Sequence, residues 1–293
     1  MKKLKFKSAA LALVCVLGAL PVHAQNDGIP VERMGRLRAL GGDADQVNQQ
    51  SKLQYDQMLK QAHEKDVVAT DRNPQLIRLR AIADRLIPYT KRWNPDAANW
   101  KWEVNLLNSP TVNAFCMPGG RIAFYSGILT KLNLTDDEVA AVMGHEIAHA
   151  LREHARAQAG KNAVTSTVAR VGGSLLAGYF GFDPRLGDAG GGMIAQGAAL
   201  KFSRNDESEA DLVGLDLAAR AGYDPRAGVA LWTKMAAINK SQPISFLSTH
   251  PTGKDRIKNM NDHMGLVLPV FARAKGLDPK KLPPYRSLAL PAS

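Results

Sequence analysis

The stretch from Leu134 to His154 reads as one helix with an assignable start, and His145-Glu146-Ile147-Ala148-His149 lies at its middle. Thr135 supplies an N-cap oxygen and Glu138 follows three residues later, as in a capping box. Asp136, Asp137 and Glu138 crowd the first turn, where the helix dipole favours negative charge. The spacing predicts a helix through Val139 to about His154. Residues four apart on a helix lie about 40° apart around its axis, so both imidazoles project from one face and can share a metal ion. Glu146 is offset by about 100° and stands beside that face. There it reaches a metal-activated water without ligating the metal. The fold must therefore bury this helix and bring a further donor to it from elsewhere in the chain.

His-Glu-x-x-His is the arrangement of zinc peptidases, and a catalytic zinc takes three protein ligands and keeps one position for water. His154 fails as the third ligand. It falls about 140° from His149 on a continuous helix, and no glycine lets the chain bend back early. The metzincin spacing also requires Gly where Arg152 stands and His where Ala155 stands. Glu207, in Ser203-Arg204-Asn205-Asp206-Glu207-Ser208-Glu209-Ala210-Asp211, is the better candidate. Asp211 lies one helical turn further on and is placed to accept the free N–H of a ligating histidine, while Glu209 points to another, solvated face. The expected centre is one Zn²⁺ per chain on His145, His149 and Glu207, with Asp211 behind them. Glu146 acts as general base on the water and passes its proton to the leaving amine. Every ligand must be deprotonated, so activity is expected to fall in acid.

The N-terminus sets the compartment. Lys2, Lys3, Lys5 and Lys7 form a basic head, Ala9 to Leu20 an apolar centre, and Val22-His23-Ala24 a small-residue exit. These are the parts of a secretory signal peptide, expected to be cleaved after Ala24 for a periplasmic protein. The apolar run is short for a membrane span. Val14 stands where lipid attachment at Cys15 requires a small residue. The 38 basic and 27 acidic residues give +11; loss of the four signal lysines leaves 34 − 27 = +7. Basic residues are scattered without interleaved aromatics, which excludes a nucleic-acid stripe and allows peripheral contact with an anionic membrane surface. Cys116 then stands alone and reads as a small hydrophobe in a strand.

The remaining pattern predicts a mainly α fold with a small β-sheet (α+β). Residues 25–72 form an N-terminal helical or extended segment, 73–265 the catalytic domain and 266–293 a C-terminal tail. Asn73-Pro74 opens an amphipathic helix bearing Leu76, Leu79, Ile82 and Leu86 and ending by Pro88. Trp100 to Leu106, Thr111 to Met117 and Arg121 to Tyr125 read as strands, with Pro118-Gly119-Gly120 as a turn. Ser126 to Leu132 is a short helix. Asn162 to Phe182 reads as a tightly packed helix interrupted by glycines, Gly187 to Gly192 as a mobile flap, and Met193 to Ala221 as a long helix. Another helix starts at Asp224-Pro225. The 37 residues beyond Arg256 leave no room for a further domain.

Four segments carry a specific resemblance: Asn113-Ala114-Phe115 with Pro118-Gly119-Gly120; His145 to His149; Ser203-Arg204 with Glu207 and Ala210-Asp211; and Thr249-His250-Pro251 with Asp255-Arg256. Over residues 74–265 the chain resembles the M48 family of zinc metallopeptidases, in its soluble periplasmic form without a tetratricopeptide tail. The resemblance implies a gluzincin-like core and endopeptidase activity on unfolded or misassembled envelope proteins. It implies that substrate lies extended along the strand of Asn113 and Ala114, bound by β-augmentation. It also places His250 near the metal. There His250, with Arg256, would stabilise the oxyanion; alternatively His250 takes the open zinc position at rest and latches the enzyme. The rival from another class is a periplasmic holdase or assembly factor that uses the groove, with proteolysis incidental.

Overall fold

The computed structural model describes residues 27–165, 202–240, 244–251 and 253–291. The expected signal peptide, the glycine-rich stretch 187–192 and most of the apolar stretch 162–182 lie outside the described residues.

Three strands form the sheet: β1 (Glu103–Leu107), β2 (Ala114–Met117) and β3 (Arg121–Tyr125), in the order β1-β3-β2. β3 pairs parallel with β1, Val104 opposite Ile122, and antiparallel with β2, Ala114 opposite Phe124. The β2–β3 turn runs through Gly119 and Gly120, whose φ of 84° and 87° fall in the left-handed region that favours glycine. Strand β1 begins at Glu103, later than the alternation from Trp100 predicts. Trp100 instead caps a 3₁₀ turn (Pro95–Asn99), its ring tilted by 45° against that of Trp102. Val67 and Ala69 bond to Asn108 and Leu106, so the outer side of β1 is also paired.

Helices surround this sheet. The described ones are α1 (Ala44–Glu64), α2 (Pro74–Leu86), α3 (Ser126–Lys131), α4 (Asp136–Leu151), α5 (His154–Thr165), α6 (Arg204–Arg220), α7 (Arg226–Asn239), α8 (Phe246–Thr249) and α9 (Lys254–Lys275). The fold is thus mainly helical with a small sheet, as its pattern predicts. Asn73 caps α2, and Leu76, Leu79, Ile82 and Leu86 form its buried face. None of the described helices is long and apolar enough to cross a membrane.

Helix α4 is the hub. Thr135 and Glu138 form the capping box, and every residue from Glu138 to Leu151 is buried. Buried Glu138 is paired: Lys234 Nζ lies 2.8 Å from its carboxylate, and Thr135 N donates to the same group. On one side α4 packs against β2; on the other it meets α6, with Gly144 and Gly214 at the point of contact. A Cβ on Gly144 would stand 2.9 Å from the Gly214 carbonyl oxygen, and one on Gly214 would stand 2.8 Å from His145 N. Two glycines at the crossing let the backbones touch, and side chains flanking the crossing on α6 reach those flanking it on α4.

The helix ends earlier than the sequence pattern predicts. Arg152 is the C-cap, Glu153 takes a φ of 54°, and α5 restarts at His154. A left-handed residue that is not glycine makes the bend that the sequence gives no glycine to make.

Candidate metal centre

Helix α4 presents His145 and His149 one turn apart, both buried. Their Nε2 atoms face each other at 3.1 Å. Glu207 arrives from the first turn of α6, which Ser203 and Asp206 start with a capping box. Its carboxylate oxygens lie 3.6 Å from His145 Nε2 and 3.5 Å from His149 Nε2. His250 follows α8 as its C-cap, and its Nδ1 lies 2.9 Å from Glu207 Oε1 and 3.3 Å from His145 Nε2. One donor atom from each of these four residues falls within 4.8 Å of the others, and all four residues are buried.

These separations fit a tetrahedral zinc. Ligand atoms bound about 2.0–2.1 Å from the metal stand about 3.3 Å from one another. The two imidazoles supply a second argument. His145 turns Nδ1 to Asp211 Oδ1 at 3.1 Å, and His149 turns Nδ1 to His154 at 2.9 Å. Their Nε2 atoms converge on one buried point, and lone pairs directed there would be stabilised by a shared cation.

Arginine and aromatic rings fix the donors. Arg256 clamps Asp211 through two bonds of 2.7 and 2.6 Å. The same guanidinium reaches Glu207 Oε2 at 2.7 Å, donates to Pro251 O and lies 3.7 Å over the Trp232 ring. Phe202 stacks on His149 at 3.8 Å, and Phe246 on His250 at 4.6 Å.

Charge states follow from these neighbours. Burial works against ionisation of Asp211, but Arg256 and His145 outweigh it and hold the carboxyl below its usual range. Burial opposes Glu207 likewise, and His250, His145 and Arg256 bring it down. Burial drives His149 well below the ordinary imidazole value, helped by the surrounding histidines and Arg256. Burial also lowers His145 against the pull of Asp211 and Glu207. For His250, burial is outweighed by Glu207 and Glu146, and its value rises.

Glu146 stands beside the donors. Burial pushes its carboxyl up to about 8, with Glu207 adding to the rise and His250 and Arg256 opposing it. Its Oε1 has no hydrogen-bond partner and lies 3.6 Å from His250 Nε2. Glu146 thus sets a buried carboxyl oxygen without a hydrogen-bond partner next to the cluster of possible metal donors.

A family model, that of peptidase family M48, matches residues 76–263. The chain belongs to peptidase family M48. Within the matched region of this M48 chain lie all four clustered donors and Glu146. Mitochondrial metalloendopeptidase OMA1 of Arabidopsis thaliana is 38% identical over 157 residues, 54% of this chain and 30% of that protein. Metalloprotease LoiP of Escherichia coli is 29% identical, with 73% of this chain and 81% of the relative covered. A putative beta-barrel assembly-enhancing protease of Vibrio cholerae is 27% identical over 96% of this chain and 55% of its own length. The chain spans between 30% and 46% of the length of the plant and yeast OMA1 proteins.

The other expected site residues sit around this M48 centre. Asn113 precedes β2 and its Oδ1 accepts from Ala114 N at 3.0 Å, while Ala114 opens β2 at the edge of the sheet nearest α4. Cys116, on the same strand, is free and buried, and burial pushes its thiol up. Sequence reasoning missed three neighbours of the M48 donors. Glu209, expected on a solvated face, accepts from both Arg152 and His154. His154, expected to point away, returns to His149 because of the bend at Glu153. Phe202 stacks on a donor ring, and nothing in its local sequence marks it.

Proposed function

We propose that this chain is a zinc-dependent endopeptidase that cleaves unfolded or misassembled cell-envelope proteins in the periplasm. The observation that carries the reading is the convergence of His145, His149, Glu207 and His250 on one buried point with Glu146 beside it. His145, His149 and Glu207 would hold the zinc. When bound, the ion acidifies water and polarises the scissile carbonyl. Glu146 takes the water proton and delivers it to the leaving amine, a role supported by its raised pKa and unpartnered oxygen. Asn113 and Ala114 line the strand edge along which an extended substrate would add its backbone hydrogen bonds.

Arg256 is read as a positioning residue and not as the oxyanion donor expected from the resemblance. Its bonds to Asp211, Glu207 and Pro251, with Trp232 covering its face, leave it holding the donors in place. His250 is read as a resting latch, because its Nδ1 already stands among the donors. Oxyanion stabilisation by His250 then requires the loop after α8 to move. The name of the beta-barrel assembly-enhancing relative supports an envelope setting, and the N-terminal signal pattern agrees with it.

Purified protein expressed with its signal removed should contain about one zinc per chain and cleave casein, and a chelator should abolish cleavage until zinc is restored. Binding of unfolded casein with no cleavage in the zinc-loaded form would favour the holdase reading instead.

A further inference from the structure

The two ligating imidazoles are supported differently. His145 leans on a carboxylate, Asp211, which Arg256 clamps. Among the described residues, the group behind His149 is another histidine and not a carboxylate. His149 Nδ1 lies 2.9 Å from His154 Nδ1, and His154 Nε2 lies 2.9 Å from Glu209 Oε2. Arg152 Nε donates to Glu209 Oε1 at 2.6 Å, and its Nη2 donates to the Glu32 carbonyl at 2.9 Å. Arg152 and His154 are buried, while Glu209 is partly exposed.

Two ring nitrogens this close must share a single proton. His149 offers its Nε2 lone pair to the donor cluster, so its own proton sits on Nδ1 and is donated to His154. His154 then accepts at Nδ1 and carries its proton on Nε2, which donates to Glu209. Arg152 keeps Glu209 an acceptor. The order of donors and acceptors runs one way from the metal face to the surface. A proton on His154 Nδ1 would set two N–H groups against each other.

We propose that His154 and Glu209, held by Arg152, form a positioning relay that fixes the tautomer and ring orientation of His149. The relay is the counterpart of Asp211 and Arg256 behind His145. It rests on the metal-centre reading above, and partners of this kind raise ligand basicity and affinity. The bend at Glu153 exists in this fold to the relay's benefit: a helix continued through His154 would carry that ring away from His149.

The test compares wild type with His154→Phe, His154→Gln and Glu209→Gln in the full mature chain. Zinc affinity is read by competition with a chromophoric chelator, and ligand geometry by the visible spectrum of the Co²⁺-substituted protein. Phe fills the volume but cannot accept, so zinc affinity should fall about 10-to-100-fold and the Co²⁺ bands should shift. Gln offers a carbonyl to His149 and an amide to Glu209, and should restore most of the affinity. Glu209→Gln should give a smaller loss with the melting temperature of the metal-free protein unchanged. That variant decides the matter if His154→Phe does not fold, because Glu209 is partly exposed. Wild-type affinity and spectra in Glu209→Gln and in folded His154→Phe would overturn the relay while leaving the centre intact. Failure of the wild type to take up zinc or Co²⁺ would overturn the centre and the relay together.

Discussion

Gly144 and Gly214 meet backbone to backbone, and a Cβ on either would approach the other's chain to within 2.9 Å. The contact sits one residue before His145 and three after Asp211, so it sets how near the two helices bring their donors. Gly214→Ala should force α4 and α6 apart, at a cost of about 1–3 kcal/mol. Urea unfolding of the metal-free protein measures the loss, and zinc content should fall with it. An alanine variant of wild-type stability and zinc content would remove this crossing as the site's determinant.

On the proposed mechanism Glu146 serves the water and not the metal, so Glu146→Gln should abolish cleavage with zinc still at about one per chain. Metal analysis beside casein turnover checks it. Retained turnover would take Glu146 out of the mechanism.

Glu207→Ala should lose zinc and activity together. Asp211→Asn should weaken zinc binding by about 10-to-100-fold, because it loosens both His145 and Arg256. Chelator competition separates the two. A Glu207→Ala protein that keeps tight zinc would refute the ligand assignment.

Zinc should stay bound well into mildly acid solution. Protons compete with the metal for imidazole lone pairs, and burial sets His145 and His149 below the ordinary imidazole value of 6.5. A ligand with a lowered pKa binds few protons at neutral pH and gains them only as the pH drops past that lowered value. Glu207 and Asp211 are lowered too and stay ionised longer still. Zinc content after dialysis at a series of pH values should hold through 6.5 and fall on its acid side. Loss with a midpoint above 6.5 would contradict the burial argument.

His250→Ala distinguishes latch from catalyst by sign. Removing a latch raises basal casein cleavage or self-cleavage. Removing an oxyanion donor lowers turnover by about 10²-to-10³-fold. A rise is expected, since His250 Nδ1 stands among the donors. Phe246 N bonds to Val112 O at 3.0 Å, next to the expected substrate edge, so a peptide settling on that edge would disturb the same turn.

Local signals carried much of this architecture. The capping box of Thr135 and Glu138 starts α4, the four-residue spacing brings His145 and His149 together, and Glu207 with Asp211 repeats that spacing on α6. These follow from helical periodicity, which a sequence displays directly. Glu153 adopts a left-handed conformation without being glycine, and no residue type announces that choice. His154, placed by helical continuation, was therefore misdirected, and Glu209 with it. The resemblance assigns Arg256 to the oxyanion. Only the packing of α9 against α6 reveals that Asp211 and Glu207 already engage it.

The four clustered donors come from three separate stretches of chain, and the widest pairing spans 105 residues. Pairings this distant close large loops, whose entropy must be lost before the contact rewards it. A chain emerging from its N-terminus holds two imidazoles on a nascent helix, then a carboxylate, and only afterwards His250. On the proposed roles, the three zinc ligands precede the latch in chain order, so the centre stays open until His250 is in place. His250, the proposed latch, is the last of the four donors in chain order, so under that proposal completing the cluster and restraining the centre fall to the same side chain.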